Sequence, residues 1–186
     1  MSALPGELPY DAVDPEQALK YAIHHHARER VQIVEGVIEP MTLGWDHEAV
    51  AGRVRRQLSD RVHALGCLMG AGDLDLPGSS NWFVPDVAVV PAQLTKGGGA
   101  LLPGQTLLVV EVTSEASGDT DRVVKPRRYA EYGAPLYLLI DRRDRACTLY
   151  AEPGPTGYAR TTGPLPFGEP VELPEPFGVR LDTSEL

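Results

Sequence analysis

The sequence predicts a single domain of the α/β class, in which a mixed β-sheet is flanked by helices. The chain has 186 residues, of which 42% are hydrophobic, enough to form one buried core. Helix-like and strand-like segments alternate at first, and strands dominate later, which is typical of this class. We expect a core over about residues 31–150, an N-terminal helix within 1–30, and a β-strand extension rich in Pro and Gly over 151–186.

Three helices are predicted. Asp14 and Pro15 are residue types that favour the N-cap and the first position of a helix, so one helix should begin there. A second should begin at Asp46, because apolar residues then recur every three or four positions until Gly66. A third is predicted around Pro126, which marks either its start or a distortion within it.

Strand-like segments account for most of the remaining chain. A hairpin that turns at Glu35 and Gly36 is predicted by VQIVEGVIEPM. The segments NWFVPDVAVV and LLVVEVTS are short and rich in β-branched residues, as buried strands are. Two further strands joined by a turn are predicted by PLYLLIDRRDRACTLYAEP. Additional strands are expected near the C-terminus.

The composition limits the classes of function. The net charge of −9 and the pI near 5.0 argue against tight, purely electrostatic binding of nucleic acid, which favours basic proteins. Two local groups are nevertheless basic, and each could simply be a solvated helix face. They are Arg53, Arg55, Arg56 and Arg61, and then Arg122, Lys125, Arg127 and Arg128.

The sequence also predicts a cytoplasmic protein. It has no apolar run near the ~20 residues that span a bilayer, so no membrane association is expected. The N-terminal residues have no basic and apolar regions like those of a secretory signal. Cys67 and Cys147 do not form a metal-like cluster, so we expect two reduced thiols.

Three charged residues stand in apolar surroundings. Asp86 lies in VPDVAVV, Glu111 in LLVVEVTS, and Lys125 in DRVVK. A charge within a buried strand is costly unless a partner or a metal ion offsets it, and strands covered on both faces give it no access to water. Two acids on neighbouring strands could bind a divalent cation through oxygen. The lysine could orient a water molecule or stabilise charge on a phosphate.

Each of these residues also has a structural interpretation. Asp86 could cap a turn at the entrance of its strand. Glu111 could pair with Arg127 or Arg128 at the edge of the sheet, and Lys125 could be an exposed helix residue. The order of the three residues is more specific than any one of them, but it leaves both interpretations open.

In PDVAVV, LLVVEVTS and DRVVKPRRYAEYGAPLYLLID the chain resembles the Uma family of bacterial restriction endonucleases, within the PD-(D/E)XK nuclease superfamily. The resemblance extends from about Val31 to Tyr150 and implies a restriction-endonuclease-like fold. Its most specific part is the spacing of Asp121, Lys125, Tyr129, Gly133, Tyr137 and Asp141.

The resemblance also implies the roles of individual residues. Asp86 and Glu111 would hold Mg²⁺, with Mn²⁺ as a substitute, and the backbone carbonyl of Val112 would be a further ligand. The superfamily's usual lysine, two residues beyond the acid, is Thr113 here. In this family the lysine is on the next helix, at Lys125, where it would position the water that cuts a phosphodiester bond of DNA.

Two other residues match family positions near the site. Glu35 stands where the family has an aspartate, which makes it a candidate auxiliary metal ligand, while Gln32 replaces a common glutamate. His47 matches a histidine at the start of the family's helix. It could contact the site, or it could be a capping or packing residue.

Three departures from the family pattern support an alternative function. Gln32 lacks the usual charge, Glu115 replaces a proline after the strand, and Pro126 could tilt the helix that carries Lys125. With the acidic net charge, they favour a nuclease-fold binding or regulatory module of low or no activity. Hydrolysis of a small phosphate compound is a third hypothesis. A homodimer is expected only by analogy with other nucleases of this fold.

Overall fold

The computed structural model describes residues 14–26, 30–41, 44–114 and 118–186. Within them, the helices are α1 (Pro15–His26), α2 (Trp45–Ala64) and α3 (Lys125–Glu131). The strands are β1 (Val31–Val34), β2 (Val37–Pro40), β3 (Cys67–Gly70), β4 (Leu74–Leu76), β5 (Asn81–Phe83), β6 (Val87–Pro91), β7 (Leu108–Val112), β8 (Leu136–Asp141), β9 (Ala146–Gly154), β10 (Gly157–Pro166), β11 (Val171–Leu173) and β12 (Val179–Leu181).

The strands form three sheets, which confirms the predicted mixed α/β architecture. The central sheet has six strands in the order β10-β9-β8-β7-β6-β3, and β7 and β8 run parallel while the other neighbours are antiparallel. A second sheet has the order β2-β1-β5-β4, and β11 pairs with β12. Because β10 pairs with β9, the C-terminal strands begin as a continuation of the central sheet.

The central sheet is covered on both faces, as expected for its apolar strands. Every residue of β7 and β8 is buried. Val110 and Leu138 face a core that includes the apolar side of α2, while Val109 and Tyr137 face a second core that includes α3. Side chains alternate along a strand, so Glu111 lies on the same face as Val109, under α3.

Local sequence signals explain the ends of several elements. The Glu16 amide donates a hydrogen bond of 3.2 Å to Asp14 Oδ1, which confirms the predicted cap of α1. Gly66 has a φ of +66° just beyond the end of α2, where the left-handed conformation favours glycine. Glu35 and Gly36 both have positive φ, as a two-residue hairpin turn requires, so the predicted β1–β2 hairpin is confirmed.

The segment NWFVPDVAVV is not one strand. It divides into β5, in the second sheet, and β6, in the central sheet. Pro85 lies at the break, since proline has no N–H to contribute to a strand ladder. Asp86 is therefore the residue that precedes β6, and the expectation that it lies within a continuous strand is wrong.

Pro126 is accommodated by a wider helical turn. Residues Thr120–Val124 form a π-helical turn that ends where the Lys125 amide donates to the Thr120 carbonyl, and α3 follows directly. Pro126 has no N–H for the carbonyl four residues earlier, so an ordinary α-helical bond cannot form there. The proline therefore changes the type of turn and leaves Lys125 in a helical conformation.

The cysteines are free and buried, as expected. Among the described helices, none is both long and apolar enough to cross a membrane.

Candidate active site

The sheet brings the two predicted acids to neighbouring positions. Val87 of β6 pairs with Val110 of β7, so Asp86, just before β6, lies beside Glu111. The side chains of Asp86 and Glu111 and of Lys125 are almost completely buried, with only 5%, 2% and 2% of each residue exposed. Three ionisable groups are thus held out of water at one place in the fold.

Asp86 is held by the backbone of β7 and by α2. Its Oδ2 accepts a hydrogen bond of 2.7 Å from the Val112 amide and lies 3.2 Å from His47 Nε2. His47 Nε2 is also 2.8 Å from the Val112 carbonyl oxygen. Both neighbours of Nε2 are acceptors, so this nitrogen carries the proton. His47 therefore joins α2 to both Asp86 and Val112.

Burial would lower the pKa of His47, but the hydrogen bond and the charge of Asp86 outweigh it and raise the pKa. His47 Nδ1 is buried and has no hydrogen-bond partner in the described part of the chain. The sequence left open whether His47 contacts the site. The structure places it in direct contact with Asp86.

Glu111 lies under the start of α3. Its Oε1 is 2.9 Å from Lys125 Nζ and accepts a hydrogen bond of 2.8 Å from the Tyr129 hydroxyl. Lys125 Nζ also lies 3.0 Å from Asp121 Oδ1 and 5.8 Å from the centre of the Phe83 ring. Lys125 is thus enclosed by two carboxylates and an aromatic ring.

The contacts of Asp121 and Tyr129 were not predicted, although both residues are part of the spacing that resembles the Uma family. They stand four residues before and four residues after Lys125, which places all three on one side of the helical segment. This spacing was the signal that could have linked them to Glu111. The Tyr137 hydroxyl donates a hydrogen bond of 2.7 Å to the Asp121 carbonyl and supports this turn from the sheet.

The electrostatics of the cluster are dominated by burial and by an excess of carboxylates. Burial and the charges of Asp121 and Asp86 together raise the pKa of Glu111 to about 8, against the opposing effect of Lys125. Burial would lower the pKa of Lys125, but Glu111 and Asp121 together raise it above its usual value. Lys125 therefore stays protonated and is shared by two carboxylates, those of Glu111 and Asp121.

Two of the structural interpretations are wrong. Lys125 is buried rather than exposed, and Glu111 pairs with it and not with Arg127 or Arg128. The capping interpretation of Asp86 is partly correct, since Asp86 does stand at the entrance of β6, but its carboxylate binds the amide of β7.

Glu35 is placed in a different environment from the cluster. Both of its carboxylate oxygens accept hydrogen bonds of 2.7 Å from Arg128 on α3, and Asn81 donates one of 3.2 Å. In the described residues it has no contact with Asp86 or Glu111. Glu35 therefore connects the β1–β2 hairpin to α3.

The other residues that differ from the family pattern lie in different environments. Gln32 is buried and donates to Glu39 at 3.1 Å, and its own carbonyl oxygen has no partner among the described residues. Glu115 lies outside the described residues. The Thr113 hydroxyl, at the superfamily's usual lysine position, accepts a hydrogen bond of 3.0 Å from the Arg142 amide and joins the ends of β7 and β8.

The donor set fits a hard divalent cation that is only partly enclosed by protein. Asp86 uses Oδ2, and Glu111 uses Oε1, for their contacts with the described protein groups, so each has a second oxygen left for a ligand. No three His, Cys, Asp or Glu side chains in the described ranges converge as a ready-made metal site. Mg²⁺ does not need such a cage, because it commonly binds one or two carboxylates together with water and substrate phosphate oxygens.

Comparisons with known proteins agree with this fold. The chain is similar to a solved structure described as a "putative nuclease belonging to DUF820" from Anabaena variabilis, with a TM-score of 0.64, 16% sequence identity, and coverage of 86% of this chain and 90% of that one. A comparison with curated proteins finds no match. The model of the family Uma2, described as "Putative restriction endonuclease", matches residues 15–184. The chain therefore belongs to the Uma2 family of restriction endonuclease-like proteins.

Proposed function

We propose that the protein is a divalent-cation-dependent endonuclease that hydrolyses phosphodiester bonds of DNA. Asp86 and Glu111 would hold Mg²⁺ or Mn²⁺, with the Val112 carbonyl as a further ligand, and Lys125 would act on the attacking water. One observation carries the proposal. The ammonium group of a buried lysine from α3 lies 2.9 Å from the acid of β7, which supports the role that the family resemblance implies for this lysine.

Lys125 is suited to orientation and charge stabilisation. Its raised pKa keeps it protonated, so it would hold a water oxygen as a hydrogen-bond donor and stabilise negative charge on the phosphate, without removing a proton. Asp121 and Glu111 fix its position from two sides. The water oxygen would form the new bond to phosphorus while the bond to the leaving oxygen breaks. The proton of the water would pass to a phosphate oxygen of the substrate, and the leaving oxygen would take a proton from solvent.

A bound divalent cation would supply Lewis acidity that stabilises the charge developing on the phosphate. Asp86 and Glu111 would contribute the negative charge that holds it, and His47 would keep the Asp86 carboxylate and the Val112 carbonyl in a fixed arrangement. Since His47 donates to the Val112 carbonyl, that oxygen would have to share or exchange this bond when it acts as a ligand.

The test is cleavage of supercoiled plasmid DNA by purified protein with Mg²⁺ or Mn²⁺. Asp86→Ala and Glu111→Ala should each abolish cleavage, whereas Glu172→Ala, an exposed acid of β11, should leave it intact. Equal cutting by the wild type and both site variants would identify a contaminating nuclease and would overturn the proposal.

Two observations favour the alternative of a nuclease-fold binding module. Lys125 already neutralises part of the charge of Glu111, and no three ligand side chains converge in the described residues. Calorimetric titration with Mn²⁺ separates the two functions. Binding that is lost in Asp86→Ala supports the nuclease, and the absence of binding at millimolar Mn²⁺ supports the module.

A further inference from the structure

The arginines of the described residues fall into two groups. Most are paired with a carboxylate or bonded to a backbone carbonyl, and these are Arg30, Arg55, Arg61, Arg122, Arg128, Arg160 and Arg180. Others have no ion pair within the described ranges, and they are Arg53, Arg56, Arg127, Arg143 and Arg145. Arg142 reaches only the exposed Asp46, at 4.0 Å.

Four of the five arginines without an ion pair, and Arg142, line three adjoining cavities. Its first cavity, of about 610 Å³, includes Arg142 and Arg143, and its second, of about 310 Å³, includes Arg142, Arg145 and Arg53. A third cavity of about 310 Å³ includes Arg53 and Arg56. Arg142 lines both the first and the second cavity, and Arg53 lines both the second and the third, so the three cavities lie side by side. We call this set of cavities the arginine groove.

The arginine groove begins beside the candidate active site. Its first cavity includes Thr113 and Ser114, which directly follow β7, and Arg142, which follows β8. These are the carboxyl ends of the parallel strand pair, where ligands of α/β sheets commonly bind. Glu111 is two residues before Thr113, so a strand in the groove would lie next to the buried site.

An exposed tryptophan stands at the same side of α2. Trp45 is 93% exposed, and it is followed at intervals of four residues by Ala49 and Arg53, which both line the second cavity. Residues four apart share a face of a helix, so Trp45 extends the lining of the groove by about one turn. An exposed indole beside cationic groups is a suitable surface for stacking of an unpaired base.

We propose that the arginine groove binds the sugar-phosphate backbone of a nucleic-acid strand that has an unpaired base stacked on Trp45. The preferred ligand is therefore single-stranded or frayed DNA. The choice of nucleic acid as the partner rests on the proposed nuclease function. The guanidinium groups of Arg53, Arg56 and Arg143, which have no ion pair among the described residues, supply the phosphate contacts, since planar guanidinium groups match phosphate oxygens.

Acidic residues in the lining of the groove weaken its attraction for an anionic ligand. Asp46, Asp119, Asp182 and Glu185 line the same cavities, so the positive charge is partly offset. An acidic protein segment would have only the charge contacts, whereas a nucleic acid also gains from stacking on Trp45. The stacking contribution therefore distinguishes the two classes of partner.

The experiment measures binding by the fluorescence anisotropy of a labelled 15-nucleotide DNA, first as a single strand and then as a blunt duplex. EDTA is present so that no cleavage occurs. Arg56→Gln/Arg143→Gln removes two exposed groove arginines, and Arg160→Gln/Arg180→Gln is the matched control, because those arginines are exposed and lie outside the groove lining. Trp45→Ala tests stacking. Thermal unfolding of each variant checks the fold.

We expect the wild type to prefer the single strand. In the double groove variant, the plot of log affinity against log salt should become less steep by about 1.4. This change corresponds to two lost phosphate contacts, each of which contributes about 0.7 to the steepness. The matched control should leave the slope unchanged. Trp45→Ala should weaken single-strand binding by about 5- to 150-fold and abolish the preference over duplex.

Unchanged slope and affinity in the double groove variant would overturn the inference, and so would equally strong competition by poly-glutamate at the same charge. These outcomes are distinct from failure of the proposed function. A wild type that binds the single strand through the groove but cuts nothing with Mn²⁺ refutes only the nuclease. Mn²⁺-dependent cutting with no effect of the groove variants refutes only this inference.

Discussion

Lys125 and Arg128, one turn apart on α3, each contact two carboxylates in different environments. Lys125 joins Glu111 and Asp121 with almost no exposure, whereas Arg128 joins Glu35 and Glu131 at the surface. In water the carboxylates around Arg128 would be stable without it. The carboxylates around Lys125 have no such alternative, so the buried set is the one in which burial raises the pKa of a carboxyl and in which a metal ion could compensate the charge.

The largest effect should come from removing the buried cation. Lys125→Met leaves Glu111 and Asp121 facing each other without a partner, and we expect a loss of about 3–5 kcal/mol in the free energy of unfolding. Urea denaturation in EDTA measures it. The matched change Arg128→Met should cost only about 0.2–1 kcal/mol, because its carboxylates remain solvated. Equal losses of stability in the two variants would show that burial does not make the ion pairs of Lys125 more important for stability than those of Arg128.

A double variant distinguishes stability from chemistry. Lys125→Met combined with Glu111→Gln should recover part of the lost stability, since one buried charge is removed with its partner. DNA cleavage should remain absent, because both the metal ligand and the water-orienting group are gone. Recovery of cleavage in this double variant would contradict the roles proposed for both residues.

The second effect is a pH dependence of metal binding at the buried set. Mn²⁺ needs ionised Glu111, whose pKa is raised to about 8, so its affinity should rise by up to about tenfold per pH unit between pH 6 and 8. Calorimetry in two buffers of different ionisation enthalpy should also detect release of a proton. An affinity independent of pH in this window would exclude Glu111 as a titrating ligand.

The same shift affects stability in the absence of metal. The pKa of Glu111 is higher in the folded than in the unfolded chain. Its contribution to the free energy of unfolding is therefore complete below about pH 4.5 and is lost as the pH rises through about 8. His47 has a shift of the same sign. The difference in the free energy of unfolding between the wild type and Glu111→Gln isolates the contribution of Glu111. This difference should decrease as the pH rises.

A smaller effect is expected from the hydroxyl that supports Glu111. Tyr129→Phe removes the donor of a 2.8 Å hydrogen bond to a buried carboxylate and should cost about 1–3 kcal/mol of unfolding free energy. Tyr132→Phe is the matched control, because Tyr132 bonds the Pro77 carbonyl at an exposed position. A larger loss in the control would contradict a special role for Tyr129.

The smallest effect should be that of Glu35→Gln. Both oxygens of Glu35 are occupied by Arg128, so we expect at most about 1 kcal/mol of destabilisation and no change in Mn²⁺ affinity. Calorimetry of wild type and variant measures the affinity. A clear loss of Mn²⁺ binding would instead support Glu35 as the auxiliary ligand that the family resemblance implies.

The sequence indicated residues of the candidate site best where a charged residue stands in an apolar segment. Asp86, Glu111 and Lys125 could be selected because charges are rare in buried apolar segments, and the structure brings all three together. The β1–β2 hairpin and the start of α1 were predictable for a different reason, because their signals are local. Glu35 and Asp14 each lie within two residues of the contacts that they determine.

What could not be predicted depends on contacts between distant segments. The break at Pro85 assigns β5 and β6 to different sheets, and nothing within the segment shows which partners each strand will have. Likewise, the contact of Tyr129 with Glu111 needs the position of α3 over β7. The arginine groove joins residues from α2 and from the ends of β7 and β8, and only the folded chain shows that they are neighbours.

The π-helical turn of Thr120–Val124 holds one residue more than the α-helical turn it replaces. Deletion of the exposed Val123 would return the turn to α-helical pitch and shorten the spacing from Asp121 to Lys125 from four residues to three. Residues three and four apart share a helix face, so Asp121 would stay beside Lys125. The extra residue is therefore an insertion that the helix absorbs locally, without separating the lysine from either of its acids.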